Sequence, residues 1–176
     1  MIDEKVIEEL REYIKDHYIP LYGSEGHSLV ATSSFAKAVK AKPFRNISNE
    51  ASEYIKKNRK PGGFSYALDQ KRKEKGLSPA ELYKKANVDR RQYSKYMGPE
   101  KKHPSINTVI SFALALHLKR AEFDEFLQTA GYSLSHGSSR DVCIMYCLEK
   151  GIYDIDEANA LLFAVGIEPL SKDSSA

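Results

Sequence analysis

The chain has no tryptophan, two cysteines, three methionines and no apolar run near the roughly 20 residues a membrane helix needs. The missing run excludes a helical membrane span, and the shortage of cysteine excludes a disulfide-stapled fold. Cys143 and Cys147 stand four apart on one expected helix face, a spacing too rigid to favour a bridge between them, so they read as core thiols. A metal pair would want further Cys or His ligands at a recognisable spacing, and none is found. The five histidines, His17, His27, His103, His117 and His136, form no HExxH, no ligand pair at helical spacing and no nucleophile signature. His136 beside Ser133 and Ser135 fits helix capping better than hydrolysis. Pro61-Gly62-Gly63 is a break between helices, not a phosphate loop, and Asp154, Asp156 and Glu157 lack the rest of a calcium loop. The expectation is a protein that is not an enzyme, with no catalytic residue, no cofactor and no metal.

What is present is ordinary globular composition and an uneven charge. The 176 residues, 41% hydrophobic and 29% charged, suffice for one compact core of several helices or a small domain with an appendage, not two full domains. The start, MIDEKVIEELREYIKDHY, is acidic and amphipathic, neither signal nor transit peptide, which points to a cytoplasmic protein. Net charge is +3, yet residues 52–104 alone carry 15 Lys and Arg against 6 Asp and Glu, while residues 105–176 carry 5 against 10. A basic block of this kind suits a phosphate-facing surface, because each neutralised phosphate releases condensed counterions. A Lys-rich solubilising face is the alternative.

The stretch GLSPAELYKKANVDRRQYSKYM, Gly76 to Met97, reads as two short helices joined by a tight turn. Ser78 is an N-cap, Pro79 suits the first helical position, and Glu81 closes a capping box. Leu82 and Ala86 share a face, and Asn87 can take the left-handed backbone that stops a helix. After Val88 plugs the turn, Asp89 caps a second helix whose exposed first turn carries Arg90, Arg91 and Gln92, with Tyr93 and Tyr96 turned inward.

These residues resemble the Cro and lambda-repressor type helix-turn-helix, the XRE family. The family's Gly-Leu-Ser/Thr, Glu-Leu-Ala and Gly-Val-Ser elements stand here as Gly76-Leu77-Ser78, Glu81-Leu82-Tyr83 and Asn87-Val88-Asp89, followed by Tyr93 and Ser94. Arg72 holds the place of the family's first-helix Arg, and Pro104-Ser105 opens a fourth helix, SINTVISFALALHL; the likeness runs from about Phe64 to Leu127. Three positions depart from the pattern. Met97 replaces a Glu that commonly pairs with the first-helix Arg, so Arg72 must find another partner or stay solvated. Pro79 replaces a Gln that often contacts phosphate. Tyr83 replaces a small Ala where the motif helices cross, implying a looser angle or an outward ring.

Around the motif the spacing predicts an all-α chain: a five-helix lambda-repressor-like domain over 61–130, an N-terminal extension over 1–60 and a helical hairpin over 131–170 packed on the domain. A disordered tail is expected over 171–176. In the extension, Asp3 to His17 is a helix with Val6, Leu10 and Ile14 on one face, Ile19 to Pro43 is irregular, and Ile47 to Asn58 is a second helix. Phe64 to Lys75 opens the domain, with Phe64 and Leu68 inward and Lys71, Lys73 and Lys75 on the wet side. Ile106, Val109, Ile110, Ala113, Leu114 and Leu116 mark a central buried helix, and Phe123, Phe126 and Leu127 a further one stopped at Gly131. In the hairpin, Val142 to Leu148 precedes Gly151, and Asp154 with Glu157 makes a capping box before Ala158, Leu161, Leu162 and Val165. Too apolar to stand alone, it must close over the core, pair with a second copy, or do both.

Function follows from the motif. Arg90, Arg91 and Gln92 are expected at base edges, since Arg suits guanine and Gln adenine. Ser94, Lys95, Lys84 and Lys85 are expected as backbone contacts, and the resemblance places the loop carrying Lys101 and Lys102 beside the DNA backbone. A solvated helix face partnered by nearby carboxylates is the other reading of Arg90 and Arg91. The expected partner is double-stranded DNA, bound by a homodimer as a sequence-specific transcriptional regulator. The alternative is a protein-interaction module of a bacterial system, such as phage defence, that keeps the fold and docks a protein effector. The YSLSH and GIYDI segments resemble helix-turn-helix modules that recur in bacterial proteins joined to unrelated domains. RNA has no aromatic stacking platform here.

Overall fold

Side-chain caps divide the chain into helices, and among the described residues there is no strand. A computed structural model describes residues 4–19, 50–54, 57, 63–98 and 102–170. Contacts group the chain into one unit, Met1–Leu21 with Gly62–Ala176, and a second, Tyr22–Pro61. In the second unit, residues 50–54 and 57 are helical and exposed, within the helix expected from Ile47 to Asn58. The rest of that helix, the irregular stretch beyond Ile19 and the tail 171–176 lie outside the described residues.

The first unit contains α1 (Glu4–His17), α2 (Gly63–Glu74), α3 (Pro79–Lys85), α4 (Arg90–Met97), α5 (Ile106–Ala115), α6 (Arg120–Thr129), α7 (Ser139–Lys150) and α8 (Ile155–Ala164). Serine caps recur: Ser78 opens α3, Ser105 opens α5 and Ser138 opens α7, each accepting the backbone N–H three residues on. Asp154 caps α8 by accepting from Asp156 and Glu157. Stops are left-handed residues, with Gly131 at φ 76° after α6 and Gly151 at φ 71° after α7.

The centre of the unit is α5, buried without a break from Thr108 to Ala115. A helix apolar all round must be covered on every side, and α3, α6 and α8 all pack on it. Its mirror in the hairpin is α7, buried from Asp141 to Leu148 and covered by α1, α6 and α8. The two hairpin helices thus lie against the core, α7 on α6 and α8 on α5. Cys143 and Cys147 are free, buried thiols on α7. Hydrogen bonding to Cys143 and then burial push the Cys147 thiol up, which keeps it inert.

Two expectations need correction. The extension over 1–60 does not hold together, because α1 packs on α7 and α8 and belongs to the unit that carries the motif. Leu10 is its buried anchor, Tyr13 donates to Glu149 at 2.6 Å, and Lys150 pairs with Glu9 at 2.9 Å. Burial, followed by the bond to Glu149, pushes the Tyr13 hydroxyl up to about 12. The second correction is Lys71, which is not on the wet side: its ammonium sits 2.8 Å from Glu122 on α6 and 3.1 Å from Glu74.

Candidate nucleic-acid interface

Helix α3 begins as its residues dictate. Ser78 Oγ accepts from the Glu81 backbone at 3.2 Å, the Glu81 carboxylate accepts from Ser78 N–H at 2.7 Å, and Pro79 fills the first position, where no donor is needed. The bonds from Ser78 hold the Glu81 carboxyl below its usual range. At the other end Asn87 is left-handed, with φ 52°, and Val88 N–H reaches back to the Tyr83 carbonyl at 2.9 Å. Together these close the helix and set the short turn into α4.

Helix α4 starts at Asp89, whose carboxylate accepts from Arg91 N–H at 2.7 Å. Its inner face is aromatic. Tyr96 lies edge-on to both Phe64 and Phe112, and Tyr93 lies edge-on to Phe112, so α2 and α5 grip the ring pair of α4. Ser65 on α2 donates its hydroxyl to the Tyr96 carbonyl at 2.6 Å, satisfying one of the carbonyls a helix end leaves open. Spacing gave no sign of Ser65, because its partner is 31 residues away.

The sequence-derived residues distribute as follows. Arg90, Arg91, Ser94 and Lys95 are exposed on α4, and Lys84 and Lys85 are exposed at the end of α3. Among the described residues, no carboxylate pairs with Arg90, Arg91, Lys84, Lys85, Lys95 or Lys102. That is contrary to the reading in which the arginines are a salt-bridged face. Ser94 Oγ donates to the Arg90 carbonyl at 3.0 Å, which leaves its lone pairs available. Lys102 is exposed and its N–H donates to the Lys95 carbonyl at 3.1 Å, tying the loop to the end of α4. Lys101 lies outside the described residues.

Gln92 is corrected. The residue is only 5% exposed, so it is not on the surface with its two arginine neighbours. Sitting one residue before Tyr93, it rotates with the buried face, and the start of a helix does not expose its whole first turn.

The departures from the family pattern also resolve. Arg72 has found a partner: its Nη2 and Nε reach Asp69 Oδ1 at 2.6 and 3.2 Å, and Nη1 donates to the Leu77 carbonyl at 2.6 Å. A guanidinium fork held between a carboxylate and the entry to α3 does the work expected of a pair with Glu at position 97. Tyr83 is partly buried with its ring 5.9 Å from that of Tyr93, so the crossing is filled by two stacked-off aromatics. Of the two expectations for Tyr83, a looser angle or an outward ring, the partly buried ring is contrary to the second.

Among the described residues no group of three or more His, Cys, Asp or Glu could hold a metal, and no helix is long and apolar enough to cross a membrane. Residues 68–123, from the middle of α2 into α6, match the family model described as helix-turn-helix. No curated protein and no solved structure matches the chain. Motif spacing, caps, helix order and the family match agree, and over this segment the chain is a Cro/C1-type, XRE-like helix-turn-helix domain.

Proposed function

We propose that the protein is a DNA-binding regulator of transcription that lays α4 in the major groove. The observation that carries this reading is the Arg90-Arg91 pair, exposed at the start of an aromatic-anchored helix and free of carboxylate partners among the described residues. In this reading the guanidiniums meet guanine edges, each good bidentate contact contributing roughly 1 to 3 kcal/mol of discrimination. Ser94, Lys95, Lys84, Lys85 and Lys102 hold phosphates and set register. Gln92 has no part in it. The protein binds as a homodimer, with half-sites about one helical turn apart.

Selection from random duplexes tests the proposal. The expected result is one enriched, two-fold symmetric motif, lost in an Arg90→Ala/Arg91→Ala variant that melts like the parent. No enrichment, together with stoichiometric capture of one protein and no nucleic acid, would instead support the interaction module.

A further inference from the structure

The loop that follows α4 is fastened from outside the motif. It leaves α4 at Gly98 and re-enters α5 at the Ser105 cap, and of its residues Lys102 and His103 are exposed while Pro104 is buried. One fastening is local, the Lys102 N–H on the Lys95 carbonyl at 3.1 Å. The other comes from Tyr132, 28 residues on, whose hydroxyl donates to the Pro104 carbonyl at 2.9 Å. The same hydroxyl lies 3.5 Å from His103 Nδ1, with the two rings edge-on at 5.6 Å.

Tyr132 is itself held in place. Gly131, left-handed at φ 76°, turns the chain at the end of α6, and Tyr132 N–H bonds back to the Leu127 carbonyl at 3.0 Å. Just beyond the loop, Arg140 on α7 donates from Nη1 to Asn107 Oδ1 at 3.1 Å, and from Nε and Nη2 to Asp141 Oδ1 at 2.9 and 2.7 Å. Asp141 is buried and accepts a further bond from Ser135 N–H at 3.1 Å. Both grips lie outside residues 68–123, the segment that matches the family. Among the described residues of the loop, Lys102 is held locally by Lys95, while the carbonyl of Pro104, just before the α5 cap, is held by a residue of the C-terminal extension.

We propose that Tyr132 is a positioning residue for nucleic-acid binding: its hydroxyl, fixed on Pro104, holds the loop so that Lys102 faces the phosphate backbone beside α4. This inference rests on the DNA-binding reading above. Tyr132→Phe keeps the ring and removes only the tether on Pro104, leaving the Lys102–Lys95 bond as the one described fastening and loosening the segment that presents the ammonium. The cost is entropic and local, and it passes through Lys102.

The test uses the full chain and a fluorescein-labelled random-sequence duplex, with anisotropy read from about 50 to about 200 mM salt. Tyr132→Phe and Lys102→Ala should each weaken binding by roughly three- to tenfold, and each should lower the log-log salt slope by about 1. The double variant should be no weaker than Lys102→Ala alone, because the hydroxyl acts only through that lysine. Melting of Tyr132→Phe should stay close to the parent, because the ring against His103 and the core is kept. A merely structural role would move the melt and leave the salt slope alone. Unchanged binding by Tyr132→Phe, or losses that add in the double variant, would overturn the proposal while an Arg90→Ala/Arg91→Ala loss preserved the reading beneath it. A parent chain with no salt-dependent affinity for duplex would overturn both.

Discussion

Asp69 and Arg72 stand one helical turn apart on α2, and that short spacing repairs the motif's missing glutamate. Lys73 and then Arg72 hold the Asp69 carboxyl below its ordinary value of 3.8 by hydrogen bonding. A carboxyl depressed on folding stabilises the native state above its unfolded value and ceases to do so as pH falls through the acid range. Asp69→Asn should therefore lower the melting temperature at neutral pH, with the gap to the parent closing in acid; a gap that persisted below the carboxylate range would count against this pairing. Ser78 gives a second test at this scale. Removing the hydroxyl in Ser78→Ala takes away the cap of α3, and chemical denaturation should register about 1 kcal/mol of lost stability. Asp69 as the partner of Arg72 has no motif signal, whereas the Ser78–Glu81 pair was legible in the sequence. Gln92 was not, because a cap residue fixes where a helix starts but not its rotation, and rotation is decided by the rings of Tyr93 and Tyr96 meeting Phe112.

Among the elements, α4 and α5 have separable duties. Helix α4 is eight residues long, too short to persist alone, and is held by its aromatic inner face. Its outer face can change without loss of fold, whereas Gln92→Ala should alter stability rather than sequence preference, measured by melts alongside duplex selection. Helix α5 tolerates little: Leu114 is fully buried at its heart, and Leu114→Ala should cost roughly 2 to 5 kcal/mol by denaturant titration. A loss under 1 kcal/mol would mean that α5 is not the centre of the core. Periodicity and caps made most elements legible, since Ser78, Asp89, Ser105 and Asp154 all cap where the spacing predicts. What α1 packs on was illegible. An apolar stripe of Val6, Leu10 and Ile14 says that one face is buried but not which partner, and the partner, α7, begins more than a hundred residues later. Lys71 was misplaced for the same reason, as its partner Glu122 comes from a distant helix.

For the whole molecule, the helix-turn-helix is embedded rather than appended. Helix α1 covers α7, α7 meets α6, and α8 returns to α5, so the hairpin and the first helix share a core with the motif. Leu10→Ala should thus destabilise the unit as a whole, by roughly 2 to 5 kcal/mol. Helical signal and tyrosine fluorescence should fall in one coincident transition; an early, separate loss of helix would show α1 to be an independent appendage. The same embedding lets residues outside the motif act on it, as Tyr132 does at Pro104. Along the sequence the basic block covers residues 52–104 and the acidic excess residues 105–176, a division of sign that suits a polyanion on the basic part. The most direct measurement is duplex affinity of the full chain as a function of salt, compared with the Arg90→Ala/Arg91→Ala variant. The expected result is a steep linear fall of log affinity with log salt in the parent, and a shallower, weaker line in the variant at unchanged melting temperature. Identical lines for the two proteins, or no binding by the parent at low salt, would contradict it.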